Sequence, residues 1–157
     1  MFRDMVRKKQ ALSAEECVDI LKNEPRGILS VIGDAGYPYA LPINHFYSDD
    51  GKLYFHSGKT GHKIDALKKC SKASFCVYDG GFRPEGEWAL YINSVIVFGR
   101  VEFIDDRETI YDISRKLSRK FTDDNEYIEA EIKRFGSATL MFALVPEHIT
   151  GKRVHEA

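Results

Sequence analysis

The sequence is short of several things, and each shortage closes off a class of function. Three cysteines, Cys17, Cys70 and Cys76, occur in 157 residues with no Cys-x-x-Cys pair. An odd, unpaired set argues against a disulfide framework, and the three read as reduced packing thiols. Five histidines show neither His-Glu-x-x-His nor a zinc-like cluster, so no metal site is expected. Charge of one sign is missing too. Lys and Arg number 23 against 24 Asp and Glu, a net −1, so no general basic field draws nucleic acid. The densest basic run, Arg115–Lys116 with Arg119–Lys120, falls on a predicted helix and reads as a solvated face. No apolar run approaches the ~20 residues that span a bilayer. The opening MFRDMVRKKQ has charge but no apolar core behind it, unlike a signal peptide. A cytoplasmic location is the expectation. The chain also lacks Gly-x-Gly-x-x-Gly and an alternating β–α rhythm, which argues against a dinucleotide-binding parallel sheet. No Ser-His-Asp or Cys-His arrangement offers a nucleophile.

What remains is a soluble, globular composition, 43% apolar and 30% charged, long enough for one domain over residues 1–157. Ser13-Ala-Glu-Glu16 is a capping box and predicts a helix from about Ala14 to Asn23, broken by EPRG. A β-branched run (27–33), turn residues DAGYP (34–38), a run over 39–47, a turn at SDDG and a return over 52–56 predict a meander of strands. Pro42 cannot donate to a ladder, so its strand is an edge, a bulge or an opening. Ile64 and Leu67 mark a short helix, and residues 73–79 another strand. Trp88 to Ile104 is a very long strand signal, with bulges or close approaches expected at Asn93-Ser94 and Gly99. Asp105 to Glu108 reads as a second capping box, followed by a stripe of Ile110, Ile113, Leu117 and Phe121. A further helix carries Ile128, Ile132 and Phe135 and stops at Gly136. Residues 138–146 are a fully apolar closing strand, and EHITGKRVHEA is a polar tail. The whole predicts a mainly β chain with flanking helices, an antiparallel sheet closed into a barrel to remove its edges.

The densest chemistry lies where the strand over 52–56 meets the next helix. Ser57-Gly58-Lys59-Thr60-Gly61-His62-Lys63 puts small and cationic residues at one turn. Thr60 is the expected cap. Free amides at Gly61, His62 and Lys63, the helix dipole and the lysine charges together suit an anion, phosphate above all. The Gly-Lys-Thr triplet lacks the upstream glycine of a nucleotide-triphosphate loop, so triphosphate hydrolysis is rejected. The competing reading is a solvated helix start with ordinary surface lysines.

Three stretches together carry a resemblance: Pro-Ile-Asn-His-Phe-Tyr (42–47), Leu-Tyr-Phe-His-Ser-x-Lys-x-Gly-x-Lys (53–63), and the run Tyr91 to Phe103. In this order and spacing the chain resembles the FMN-binding split-barrel family related to pyridoxamine 5′-phosphate oxidase, most like its 5-nitroimidazole-resistance (Nim) branch. The resemblance implies a six-stranded antiparallel Greek-key split β-barrel that forms a homodimer with FMN at the interface. It implies that Pro42, Ile43 and Asn44 run along the isoalloxazine ring. His56 and Ser57 would line the ribityl–phosphate path, with Lys59, Gly61, His62 and Lys63 around the phosphate. Asn93 and Ser94 would approach the flavin, in part from the other subunit. His45 could face substrate, which makes it the one catalytic candidate, or only the barrel rim. The implied activity is reduction of a small electron-poor substrate, a nitroaromatic in this branch, with NAD(P)H as donor. Arg153-x-His155 looks like a substrate element of true pyridoxamine phosphate oxidases, but the segment framing it there is absent, which argues against vitamin B6 oxidation. Trp88, Tyr37, Tyr39, Tyr47 and Tyr54 read as packing or interface residues. Two alternatives stay open: a non-catalytic flavin or haem module, with His45 or His148 as axial ligand, and a deazaflavin-dependent reductase of the same fold.

Overall fold

Alternation along the strands decides which side of the sheet is the core. A computed structural model describes residues 1–156. After helix α1 (Ala14–Asn23) come β1 (Arg26–Ile32), β2 (Pro38–Asn44), β3 (Phe46–Tyr47) and β4 (Leu53–Ser57). Helix α2 (His62–Lys69), β5 (Lys72–Tyr78) and β6 (Leu90–Ile104) follow, then α3 (Arg107–Ser118), α4 (Asn125–Phe135) and β7 (Leu140–Glu156). The strands form one curled antiparallel sheet in the order β2-β1-β5-β6-β7-β4-β3, a split-barrel-like arrangement. Leu29, Val31, Phe75, Val77, Val95, Val97, Leu53, Phe55, Phe142 and Leu144 fill its concave side. The Phe55 ring meets Phe75 edge-on at 5.0 Å and stacks on Phe142 at 5.2 Å. Each such buried side chain contributes about 1.5–3 kcal/mol of transfer free energy.

Four expectations need correction. The sheet has seven strands rather than six, because the run over 39–47 bends at His45 and pairs on two different sides. Its two parts are the two edges of the sheet, so the curl is joined across a single residue. The polar tail is not a tail: β7 runs to Glu156 and pairs with β6 as far as Leu90. Asn93-Ser94 makes no bulge. Asn93 pairs with Arg153, and Ser94 with both Tyr78 and Lys152. The irregularity falls only at Phe98/Gly99, opposite His148 and Pro146, which leaves Glu147 as the extra residue. Gly99 is needed there, since a Cβ would stand 2.2 Å from the Val145 carbonyl oxygen. Last, α3 is capped by Asp106 rather than Asp105. Its carboxylate accepts from the Thr109 amide at 2.9 Å, and Phe121 lies beyond the helix end, exposed.

The first capping box forms as read: Ser13 Oγ accepts from the Glu16 amide and Glu16 accepts from the Ser13 amide. Pro42 sits in an edge strand whose register with β1 is unbroken, opposite Ile28. The open side is the other edge of β2, where no donor is required of it.

The convex side of the sheet is treated in two ways. Over β4 and β7, Ile110 and Ile113 of α3 bury Tyr54, Met141 and Ala143, with Phe46 and Ile104 at the margin. Over β1, β5 and β6, no helix covers Ile28, Cys76 and Ile96, which pair across in one row, or Ser30, Ser74 and Phe98 in the next. Among the described residues no helix is long and apolar enough to cross a membrane.

Candidate functional site

The turn between β4 and α2 has an open, uncommitted character. Gly61 is the residue before the helix, with φ of 124°. Thr60 therefore does not cap α2, and no side chain does. The first helical amides keep their donors. A Cβ at Gly61 would meet nothing within 4 Å, so the backbone can be approached closely. Ser57 ends β4 with its hydroxyl oxygen buried and without a hydrogen-bond partner. A buried unpaired hydroxyl costs about 1–3 kcal/mol, which marks a group waiting for a partner. Lys59 is exposed and Lys63 half-buried, and neither joins an ion pair among the described residues.

His62 is differently placed. Its Nε2 accepts from the Asp34 amide at 3.3 Å, and its ring stacks on Tyr39 at 4.2 Å. Lys69 reaches the same Asp34 carboxylate at 3.5 Å. His62 is thus a clip between α2 and β2, and Lys59 and Lys63 are left as the uncommitted charges.

The clip sets β2 beside the turn. The β3–β4 register pairs Phe46 with Tyr54 and Tyr47 with Leu53. Extended backwards, it would set Asn44 opposite His56 and Pro42 opposite Gly58, but pairing stops at Phe46. This is the split in the barrel. The unpaired edge of Pro42, Ile43 and Asn44 lies near β4, the strand that ends at Ser57. Ile43 packs against the core, while Pro42 is exposed and Asn44 half-buried. His56 is solvent-exposed on the convex side, and partial desolvation lowers its pKa.

Asn93 and Ser94 are not brought to the turn. Arg153, opposite Asn93, and Leu140, opposite Ser57, lie at far ends of β7. Asn93 is moreover engaged: its Nδ2 donates to Asp79 at 2.6 Å and its Oδ1 accepts from Arg153 Nε at 2.8 Å. Arg153 also donates to Glu16 at 3.1 Å, so the capping box and the β6–β7 end are tied together. The sequence held no signal for this network, because its members are distant in the chain.

His45 is the clearest correction. It is completely buried, so it cannot meet a substrate as a catalytic group. Its Nε2 lies 2.7 Å from the Leu21 carbonyl oxygen, which can only accept, so Nε2 carries the proton. The ring edge packs on Phe75 at 4.9 Å, and Nδ1 is buried without a partner. Burial, followed by the charge of Lys120, lowers its pKa to about 4. Lys120, read from sequence as a solvated cation, instead donates to the Glu24 and His45 carbonyls at 2.7 and 3.0 Å. Burial lowers its own pKa to about 8. His148 is stacked against Phe2 at 4.7 Å. Trp88 is not packed in a core but 73% exposed.

The sequence profile of the pyridoxamine 5′-phosphate oxidase family matches residues 13–153. The chain belongs to this family. Solved structures agree on the fold. A Mycobacterium tuberculosis conserved hypothetical protein superposes with a TM-score of 0.81 at 16% identity, covering 95% of this chain and 90% of the other. A Bacteroides thetaiotaomicron protein described as a 5-nitroimidazole antibiotic resistance protein gives 0.76 at 21%, covering 92% and 87%. A FAD-binding protein of Mesorhizobium loti gives 0.66 at 26%, covering 92% and 97%. No curated protein matches the sequence.

Proposed function

We propose that this family member binds FMN at the split and uses it to reduce small, electron-poor substrates of the nitroaromatic kind, with NAD(P)H as donor. The observation that carries the reading is the buried, unpartnered hydroxyl of Ser57, at a turn with uncapped helix amides, an open glycine and two free lysines. That donor set suits a phosphate monoester better than a neutral ligand. Ser57 would donate to the phosphate, Lys59 and Lys63 would neutralise it, and Gly61 would let the backbone close in. The free edge of Pro42–Asn44 would offer backbone groups to the ring. FMN, when bound, supplies the electron and hydride chemistry, while the chain supplies position and a dry, polar edge. The reading draws on the flavin named for the Mesorhizobium loti relative, with FMN preferred over FAD because the turn presents one phosphate cradle.

A homodimer completes this reading. The convex face over β1, β5 and β6 carries no helix and exposes Ile96 at 40%, Phe98 at 40% and Ile32 at 49%, with Ser30 and Ser74 between the strands of Ile32 and Phe98. Concavities of about 260 Å³ beside Ile28 and Pro42, and about 230 Å³ beside Ser30 and Phe98, give it relief for a second copy. Ser94, remote from the turn in its own chain, would reach the flavin only from a partner.

The test is a visible spectrum of the purified protein after addition of FMN and gel filtration. A retained flavin spectrum is expected, and Lys59→Ala with Lys63→Ala should lose it while the far-ultraviolet dichroism persists. A Soret band, no colour, or undiminished flavin in the double variant would overturn the assignment.

A further inference from the structure

The buried polar group at the barrel's corner is unused by this reading, and it sits where the flavin edge begins. His45 is the single residue between the two edge strands of the sheet. Asn44, its neighbour, is the last residue of β2 paired with β1, opposite Arg26. Glu24 stands two residues before Arg26. The Lys120 ammonium therefore bridges two carbonyls, Glu24 and His45, that flank the end of the β1–β2 ladder on its two strands. Behind it, His45 Nε2–H is anchored to the end of α1 at Leu21. A partly buried ammonium loses hydration that its two hydrogen bonds replace, so both carbonyls are held to the place where the ammonium is set. Lys120 lies in the turn just after α3, its amide bonded to the Leu117 carbonyl at 3.2 Å, and the apolar face of α3 is clamped on β4 and β7. The bend that frees Asn44 from the partner of Phe46 is thus held from a turn remote in sequence, at the end of α3.

We propose that Lys120 is a positioning residue for the flavin edge: by fixing the Glu24 and His45 carbonyls it sets where Pro42–Asn44 leaves the sheet, and so tunes flavin binding without touching flavin. The proposal rests on the flavin reading above, but its geometric half does not. A lysine that served only stability would have no selective effect at β2.

The test compares Lys120→Met with Ile128→Ala, a truncation of a buried side chain on α4 that makes no hydrogen bond to either carbonyl. FMN dissociation constants and amide hydrogen exchange are measured on both. Lys120→Met should raise the FMN dissociation constant at least tenfold and speed exchange at residues 26–28 and 43–44 at least tenfold. Ile128→Ala should leave both within twofold while lowering the melting temperature. An equal loss of FMN affinity in the two variants, or Lys120→Met within twofold of wild type on both readouts, overturns the proposal. Should Lys120→Met not fold, Lys120→Arg takes its place, since a planar guanidinium cannot reproduce both bonds from one nitrogen. An effect below threefold on exchange would then overturn it. If wild-type protein binds no FMN, the flavin reading fails by itself, and exchange alone still decides whether Lys120 places the edge.

Discussion

The two halves of the convex surface follow the same alternation of side chains but end in opposite states. Over β4 and β7 the outward residues Tyr54, Met141 and Ala143 are buried, because α3 lays Ile110 and Ile113 across them. Over β1, β5 and β6 the outward Ile96 and Phe98 stay 40% exposed, because no helix lies across them and only the Phe2 ring stacks on Phe98, at 5.7 Å. The first half is a finished layer. The second has the composition of a layer and lacks its cover, which is the signature of a surface completed by something else.

The comparison breaks most sharply at the open half. Phe98→Asp places a charge in the centre of that face, at a position already 40% exposed, so the monomer should tolerate it. Sedimentation velocity should show a dimer for wild type and a monomer for the variant. A variant that still sediments as a dimer would remove this face as the interface. On the covered half the effect moves from association to folding. Ile113→Ala empties a buried site under α3 and should cost about 2–5 kcal/mol in urea unfolding. A cost within about 0.5 kcal/mol, the scale of surface substitutions, would mean that the two halves do not differ.

Much of this contrast was legible in the sequence, and the reasons for the rest are physical. The Ser13–Glu16 capping box was readable because its chemistry is local. So was the alternation of Phe75, Val77, Val95 and Val97, because the core demands it. The far half of β7 was hidden because only one side of it is buried. Gly151 faces inward, but its flanks Thr150 and Lys152 are polar, and the long partner that recruits them is β6. The bend at His45 was hidden because pairing on two sides is a property of the sheet, not of the local run. At the site, the turn over 57–63 was legible as a charge pattern. The diversion of His62 to Asp34 and Tyr39 was not, and neither was the capture of His45 by Lys120, 75 residues on.

The corner where the two halves meet can be probed by pH. The folded pKa of His45, about 4, lies below its ordinary value of 6.5. Between those values the unfolded chain takes up a proton that the folded chain refuses. Stability from keeping His45 neutral is therefore intact above pH 6.5, falls as pH drops towards 4, and changes no further below that. The whole step is about 3 kcal/mol. His45→Gln should flatten that part of the curve in urea melts taken from pH 7 to 4. Parallel curves for variant and wild type would show that the corner histidine is not what acid attacks.

The smallest effect distinguishes an unfinished site from an unfinished surface. Ser57 Oγ is buried and unpartnered, so it gives the empty chain nothing in exchange for its lost hydration. Ser57→Ala should leave the flavin-free protein as stable as wild type, or more stable by up to about 1 kcal/mol. The same change should weaken FMN roughly tenfold, the worth of one hydrogen bond to a charged group. Opposite signs in the two states are what a binding hydroxyl requires. A hydroxyl that served packing alone would give a loss in the empty protein and no change in FMN affinity, and the phosphate would then have to be sought elsewhere in the split.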